Sequence, residues 1–362
     1  MQLPKIISTI AIIALTLQAC IKQVDVVTRN EKPILVVEGS ITTDTVLYTV
    51  RLTYSGPITS SENIPGQYLE KDAKVTIVDD LGNATELVYK SDGNYETTDS
   101  LYRGKVGRTY GVTVVLKDGK KYVSTPEKIK APVPISKINV DFVSKFDMNL
   151  PSYMNVSVNA QDPAGEENYY RWTFYTWLLR QTKGVGCGFG CIMYEYCYQK
   201  YIENEVHLLS DASINGNEIK KQTVGRCYIY TYGNPAIDIV QTSLTREAYQ
   251  FWKSYQDQLT RTGSILDPLP ATIKGNVYNA SDPTDFALGY FSASSLTHKR
   301  AILIPNSITA YWLGISAGQF IPDKSVACFD YFPNTLLYPP PPARQYPLPP
   351  GWEQAEQINV FW

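Results

Sequence analysis

The sequence predicts a mainly β protein: an N-terminal immunoglobulin/transthyretin-like β-sandwich followed by a larger β-rich domain with one prominent α-helix. Three observations carry that reading. Apolar and polar residues alternate with period two in run after run; tyrosine is abundant, at 27 residues; and 23 glycines and 23 prolines punctuate the runs. Aromatic side chains fit a pleated surface, whereas Gly and Pro serve turns and interrupt helices.

Residues 1–19 read as an export leader. Lys5 precedes an apolar run from Ile6 to Leu17 that is too short to span a bilayer. The run closes on Leu17, Gln18, Ala19, Cys20, which resembles the bacterial lipoprotein box, where the cysteine is acylated and the leader is cut in front of it. Several acyl chains on Cys20 would hold the protein stably at a membrane. The outer membrane is the expected address, because Ile21 follows the cysteine rather than Asp. Residues 20–31 then form a lipidated tether. Its charge cluster is thin, Lys22 and Asp25, so the cell surface and the periplasmic face both stay open, with the surface preferred.

The stretch 32–130 carries the sandwich signals. Ile34, Leu35, Val36 and Val37 lead to Gly39 and Ile41, and Tyr48, Val50, Leu52 and Tyr54 alternate after them. Ala73, Val75 and Ile77 run to a turn at Asp79, Asp80, Gly82 and Asn83; Leu87 and Tyr89 run to another at Ser91, Asp92, Gly93 and Asn94. Tyr110, Val112, Val114 and Leu116 meet the turn Lys117, Asp118, Gly119, Lys120 and return through Tyr122 and Val123, a hairpin signature. Ala131, Pro132, Val133 and Pro134 make a stiff link.

From 135 to 362 the alternation resumes at Ile138, Val140, Phe142 and at Met154, Val156, Val158. Past a turn at residues 162–166 comes an aromatic strand. Tyr170, Trp172 and Phe174 share one face and Tyr169, Tyr175 and Trp177 the other, which predicts burial on both. Residues 182–201 form a Cys/Gly-rich insertion. A helix is expected from Arg246 to Leu259, with Thr245 as N-cap, Leu244 stapled against Tyr249, and Ala248, Trp252, Tyr255 and Leu259 facing a sheet. Strands are expected again at Ile273–Tyr278, Phe286–Ser292 and Arg300–Ile304. The proline-rich tail, 338–352, favours an extended polyproline path wrapped over the surface, ahead of a role as ligand for a proline-reading module.

Five cysteines besides Cys20 fall in an oxidising compartment: Cys187, Cys191, Cys197, Cys227 and Cys328 are disulfide candidates. The odd number allows two bridges and one thiol, or one bridge and three thiols. No metal site is read, because His207 and His298 are isolated and no histidine lies near the clustered cysteines.

Thr262, Gly263, Ser264, Ile265, Leu266, Asp267, Pro268, Leu269 and Pro270, then Gly275, Asn276, Val277, then Gly289 to Ser295 with Lys299 and Arg300, resemble a family of Bacteroidota outer-membrane lipoproteins named only as domain of unknown function 4249. The likeness extends to Asp162–Trp172, to 197–219 and to the helix with Tyr249, Phe251 and Trp252. It implies a lipoprotein often encoded beside a TonB-dependent outer-membrane transporter, with no established catalytic residues to carry over. The family's closely spaced pair of cysteines near the C-terminus is not matched, since Phe329, Asp330 and Tyr331 follow Cys328.

With 33 basic against 35 acidic side chains and a net charge of −2, the chain has no electrostatic footprint for nucleic acid. There is no phosphate-cradling glycine loop, Ser and His do not fall in a hydrolase pattern, and no cofactor is implied. The expected function is a non-enzymatic accessory or ligand-capturing component of a TonB-dependent transporter, taking a small-molecule, glycan or peptide ligand. A structural or adhesive surface protein is the alternative, and a carboxylate-dependent hydrolase a second. Trp177, Tyr194, Tyr196 and Tyr198 beside the Cys/Gly-rich insertion are the expected recognition aromatics, because aromatic faces stack on sugars and grip peptides. Tyr228, Tyr230 and Tyr232 repeat the period-two pattern.

Overall fold

Alternating sequence becomes strand almost wherever it occurs. The computed structural model describes residues 33–56, 68–143, 153–181, 185–186, 192–193, 196–228, 235–260, 272–303, 337–338 and 353–354. Residues 1–32, which hold the expected leader, Cys20 and the expected tether, and nearly all of the proline-rich tail lie outside the described residues. No described helix is long and apolar enough to cross a membrane.

The first eight strands are β1 (Leu35–Thr42), β2 (Thr49–Tyr54), β3 (Lys74–Asp79), β4 (Ala84–Tyr89), β5 (Asn94–Glu96), β6 (Thr109–Val115), β7 (Lys121–Ser124) and β8 (Glu127–Lys128). The expected turns fall between them, with Gly82, Gly93 and Gly119 all at positive φ. Their inward residues, among them Val37, Ile41, Val50, Leu52, Val75, Ile77 and Val114, form one core.

Strands β9 (Ile135–Val143), β10 (Tyr153–Gln161), β11 (Tyr169–Gln181), β12 (Val185–Gly186), β13 (Ile192–Met193), β14 (Tyr196–Ile202), β15 (His207–Ser210), β16 (Glu218–Tyr228) and β17 (Ala236–Leu244) follow. After them come helix α1 (Arg246–Leu259) and strands β18 (Lys274–Asn279), β19 (Asp282–Leu288) and β20 (Phe291–Ile302). Two short segments, Leu337–Tyr338 and Glu353–Gln354, add to β14 and β20.

The pairings correct the expected domain boundary. Residues 32–130 do not make a self-contained unit: β1 and β7 would be left as open edges, and the edges are closed by β18 and β19. The ladders run β3–β4–β5–β2–β1–β19–β18–β7–β6 and return to β3. Unpaired edges invite aggregation, and this circuit leaves no edge among its nine strands. Val277, Ala287, Phe291 and Ala293 accordingly join the N-terminal core.

Strand β20 belongs to both halves. Phe291–Ser294 run parallel to Gly39–Thr42 of β1, and Ser295–Ile302 run antiparallel to β17. The break before it falls at Gly289, whose φ of +81° suits glycine. A Cβ on Gly289 would sit 2.3 Å from the Val37 carbonyl oxygen, and one on Gly275 would sit 1.6 Å from that of Gly289. Backbone approaches backbone here so closely that both positions need glycine.

The second core lies between two sheets. One is β9–β10–β16; in the other, β11 is flanked by β17 on one side and by β15 and β14 on the other. Tyr170, Trp172 and Phe174 point into this core with Met154, Val156, Val158, Ile237 and Ile239. The opposite face of β11 is covered at its start by α1, where Tyr169 lies 4.9 Å from Tyr249 ring to ring. The expected burial on both faces is met on the core side alone: Tyr170, Trp172 and Phe174 are buried, Tyr169 and Tyr175 on the other face are partly buried, and the Trp177 side chain is not among those described.

Helix α1 has the expected limits. Thr245 is its N-cap, accepting from the Ala248 amide, and Leu244 is buried against Tyr249. Its docked face is shorter than expected: Ala248 is buried, but Tyr255 and Leu259 are 41 % and 54 % exposed. Phe251, Trp252 and Tyr290 pack with Ala248 at the docked end, and farther along the helix Gln256 donates to the Val206 carbonyl.

Among the disulfide candidates only the Cys227 side chain is described. It is a free thiol buried in the second core, so it is not half of a bridge in this structure. Burial pushes its pKa up to about 12.

Candidate functional site

The ladder between β11 and β14 sets Trp177 opposite Lys200, Leu179 opposite Tyr198 and Gln181 opposite Tyr196. Positions 177, 196 and 198 therefore share one face, the face that also carries Tyr169 and Arg171. Tyr194, Cys187, Cys191 and Cys328 lie outside the described residues, as do Tyr230 and Tyr232; the Cys197 backbone is in β14. Tyr228 ends β16 with its ring 5.8 Å from that of Tyr153.

A described cavity lies elsewhere. A groove of about 640 Å³ runs between α1 and the start of β18, a size typical of small-ligand sites. From the helix it is lined by Glu247, Gln250, Phe251, Ser254 and Asp257, and from the strand side by Lys274 and Asn276, with Tyr290 at its base. Helical spacing explains the first set: residues at i, i+3, i+4 and i+7 share a side of the helix. Polar amides and carboxylates above an aromatic floor suit a polar ligand with some apolar surface, as sugars and peptides have.

The floor is braced from below. Glu127, 3 % exposed, accepts hydrogen bonds from the Tyr290 hydroxyl and the Thr245 hydroxyl. Thr245 also accepts from the Ala248 amide at 3.2 Å, so one side chain joins the carboxylate to the first turn of α1. Burial pushes the Glu127 carboxyl above the usual carboxylate range, although both hydrogen bonds oppose that shift. Tyr290 is likewise pushed up, first by burial and then by the Glu127 charge. Asn276 holds the other side: it donates to the Phe291 carbonyl and accepts from the Phe291 amide, at 2.8 and 2.9 Å. The groove is thus a rigid surface built by residues of three separate chain segments.

A second polar cluster lies where the two cores meet. His298 on β20 places Nε2 2.9 Å from Asp44 Oδ2 and Nδ1 3.1 Å from Asp238 Oδ2. Arg300 Nε donates to the same Asp238 oxygen at 2.9 Å. The flanking carboxylates raise the His298 pKa to about 9, Asp238 contributing most, so the ring is an imidazolium at neutral pH. In return, the hydrogen bond from His298 lowers the Asp44 pKa. Both ring nitrogens are taken, which leaves none to activate Ser294 or Ser295. The cluster bridges the loop after β1 to β17 and β20.

Sequence reasoning did not find either feature. The groove and its support join residues as far as 163 apart in sequence, Glu127 and Tyr290, and no local spacing announces it. For His298, the alternation Asp238, Val240 on β17 opposite Arg300, His298 on β20 was visible only once the two strands were paired.

A family model described as a domain of unknown function, DUF4249, matches residues 21–300. No curated protein matches the chain.

Proposed function

The chain belongs to the DUF4249 family, and from that premise we propose that it is an outer-membrane lipoprotein, anchored through Cys20, that captures a ligand for a TonB-dependent transporter without catalysing a reaction. The observation that carries the capturing role is the groove between α1 and β18, with its polar rim and its floor of Phe251 and Tyr290. Glu127, the buried carboxylate beneath the groove, has both oxygens committed to Thr245 and Tyr290. That commitment favours a rigid binding surface over a catalytic one. The ligand is a glycan, a peptide or another polar small molecule. The acyl chains on Cys20 fix the protein at the membrane, and the short tether keeps the groove within reach of a membrane partner.

The test is affinity purification of the tagged protein after gentle detergent extraction of cells that express it. A TonB-dependent transporter should co-purify with the wild type, and the Cys20→Ala form should leave the membrane fraction as a folded protein and lose that partner. Recovery of the wild type without a transporter, in cells where the neighbouring outer-membrane proteins are produced, would remove the transporter role.

A further inference from the structure

The connection between β14 and β15 reads Glu203, Asn204, Glu205, Val206, His207. Side chains two apart on extended chain fall on one side, and three metal-ligating types occupy the alternate positions. In the structure their ligand atoms all lie within 4.8 Å of one another. His207 Nε2 is 3.7 Å from Glu203 Oε2. That nitrogen is shut off from solvent and has no hydrogen-bond partner among the described residues. Buried polar atoms are ordinarily satisfied, so an orphan nitrogen aimed at a carboxylate needs an occupant between them.

The cluster is held in place from several sides. His207 pairs with Trp172 in the ladder of β11 and β15. The Glu203 amide donates to the Phe174 carbonyl at 3.1 Å, and Glu203 Oε2 accepts from the Arg226 amide at 3.0 Å. Gln256 of α1 donates to the Val206 carbonyl, between the second and third candidate ligands. Gly225 supplies the room: a Cβ there would lie 2.4 Å from Glu203 Oε2.

We propose that Glu203, Glu205 and His207 form a site for one divalent transition-metal ion of the zinc class, with solvent completing its coordination. One imidazole nitrogen with two carboxylates is a borderline donor set that suits zinc and its first-row neighbours, whereas calcium and magnesium take oxygen alone. Metal–ligand distances of about 2.1 Å place the ligand atoms of a tetrahedral ion about 3.4 Å apart. The 3.7 Å between His207 and Glu203 needs to close by only a few tenths of an ångström. Glu205 is held by Arg226 Nη1 at 3.2 Å, in a pair whose side chains are 39 % and 51 % exposed; exposed pairs are weak and yield readily. Two carboxylates against one guanidinium leave a net negative charge to receive the cation. The site lies away from the elements that line the groove's strand side, and it does not depend on the transporter reading.

The experiment uses the purified full chain, stripped with chelator, loaded with Zn²⁺, dialysed and assayed for metal by mass spectrometry, with Co²⁺ absorption as a second probe. The wild type should retain close to one Zn²⁺ per chain, and His207→Ala and Glu205→Gln should weaken retention at least tenfold. His298→Gln removes the other histidine and should leave retention unchanged. Arg226→Ala removes the competing cation and should tighten binding, which keeps the test decisive if His207→Ala fails to fold. The proposal is overturned by a wild type that retains no metal. Equal retention by His207→Ala, a loss in His298→Gln, or thiolate-to-cobalt charge transfer placing the ion on cysteine would each overturn it too.

Discussion

His298 should make the joint between the two cores sensitive to alkaline pH. Its pKa is raised from 6.5 to about 9 by Asp238 and Asp44. A group whose folded pKa is raised contributes stability that is complete below its unfolded pKa and is lost as pH climbs through the folded one. The window is therefore pH 6.5 to about 9. At 1.36 kcal/mol per unit the unscreened contribution would be about 3 kcal/mol. The imidazole is 28 % exposed, and solvent screening brings the expected value to about 1–2 kcal/mol. Asp44 titrates outside this window: its lowered pKa gives stability that is lost only as pH falls below the ordinary carboxylate range. Arg300 keeps one oxygen of Asp238 paired. Urea unfolding at intervals from pH 6 to 10 should show wild-type stability falling by that amount across the window, while His298→Gln starts lower and runs flat. Parallel profiles for the two proteins would refute the reasoning.

Three further outcomes follow from the packing. Gly275→Ala drives a methyl group into the Gly289 carbonyl and should destabilise by about 2–3 kcal/mol, the upper part of the range for overpacking, as measured by the urea midpoint; Gly107→Ala, where a Cβ meets nothing within 4 Å, should cost only the strain of its positive φ, about 1–2 kcal/mol. Thr245→Ala removes both the N-cap of α1 and a donor to Glu127, and should cost about 1–2 kcal/mol with loss of helical ellipticity at lower temperature than in the wild type. Cys227, buried with its pKa pushed up to about 12, should resist iodoacetamide at pH 8 in the native protein and react on unfolding, as peptide mass spectrometry would show.

Much of the fold was legible because short-range rules decide it. The period-two runs at Tyr48–Tyr54 and Tyr110–Leu116, the glycine turns at 82, 93 and 119, and the N-cap at Thr245 with Leu244 behind it all landed where local chemistry puts them. What was not legible depends on pairings between distant strands. Nothing in Lys274–Asn279 says that it will bond to Tyr122–Ser124, so the seven N-terminal strands of the circuit read as a separate domain without β18 and β19. The same holds for the dual role of β20, whose Gly39–Phe291 and Ser243–Ser295 pairings join halves that composition keeps apart. Tyr255 and Leu259 show the converse error. Their helical spacing with Trp252 is correct, but spacing cannot tell how far a sheet extends beneath a helix. The alternate spacing of Glu203, Glu205 and His207 was present in the sequence, and it gained meaning only from the unpaired His207 nitrogen.

The central claim, that the α1–β18 groove of a membrane-anchored protein holds a ligand destined for a transporter, is tested most directly by photo-crosslinking in living cells. A photoreactive amino acid at Gln250 lies in the groove, and one at Leu81 lies on an exposed turn of the N-terminal half. The account predicts covalent adducts from position 250 with a TonB-dependent transporter or its ligand in the outer-membrane fraction, and none from position 81. Equal labelling from both positions, or no adduct from position 250 in cells that contain the transporter, would contradict it.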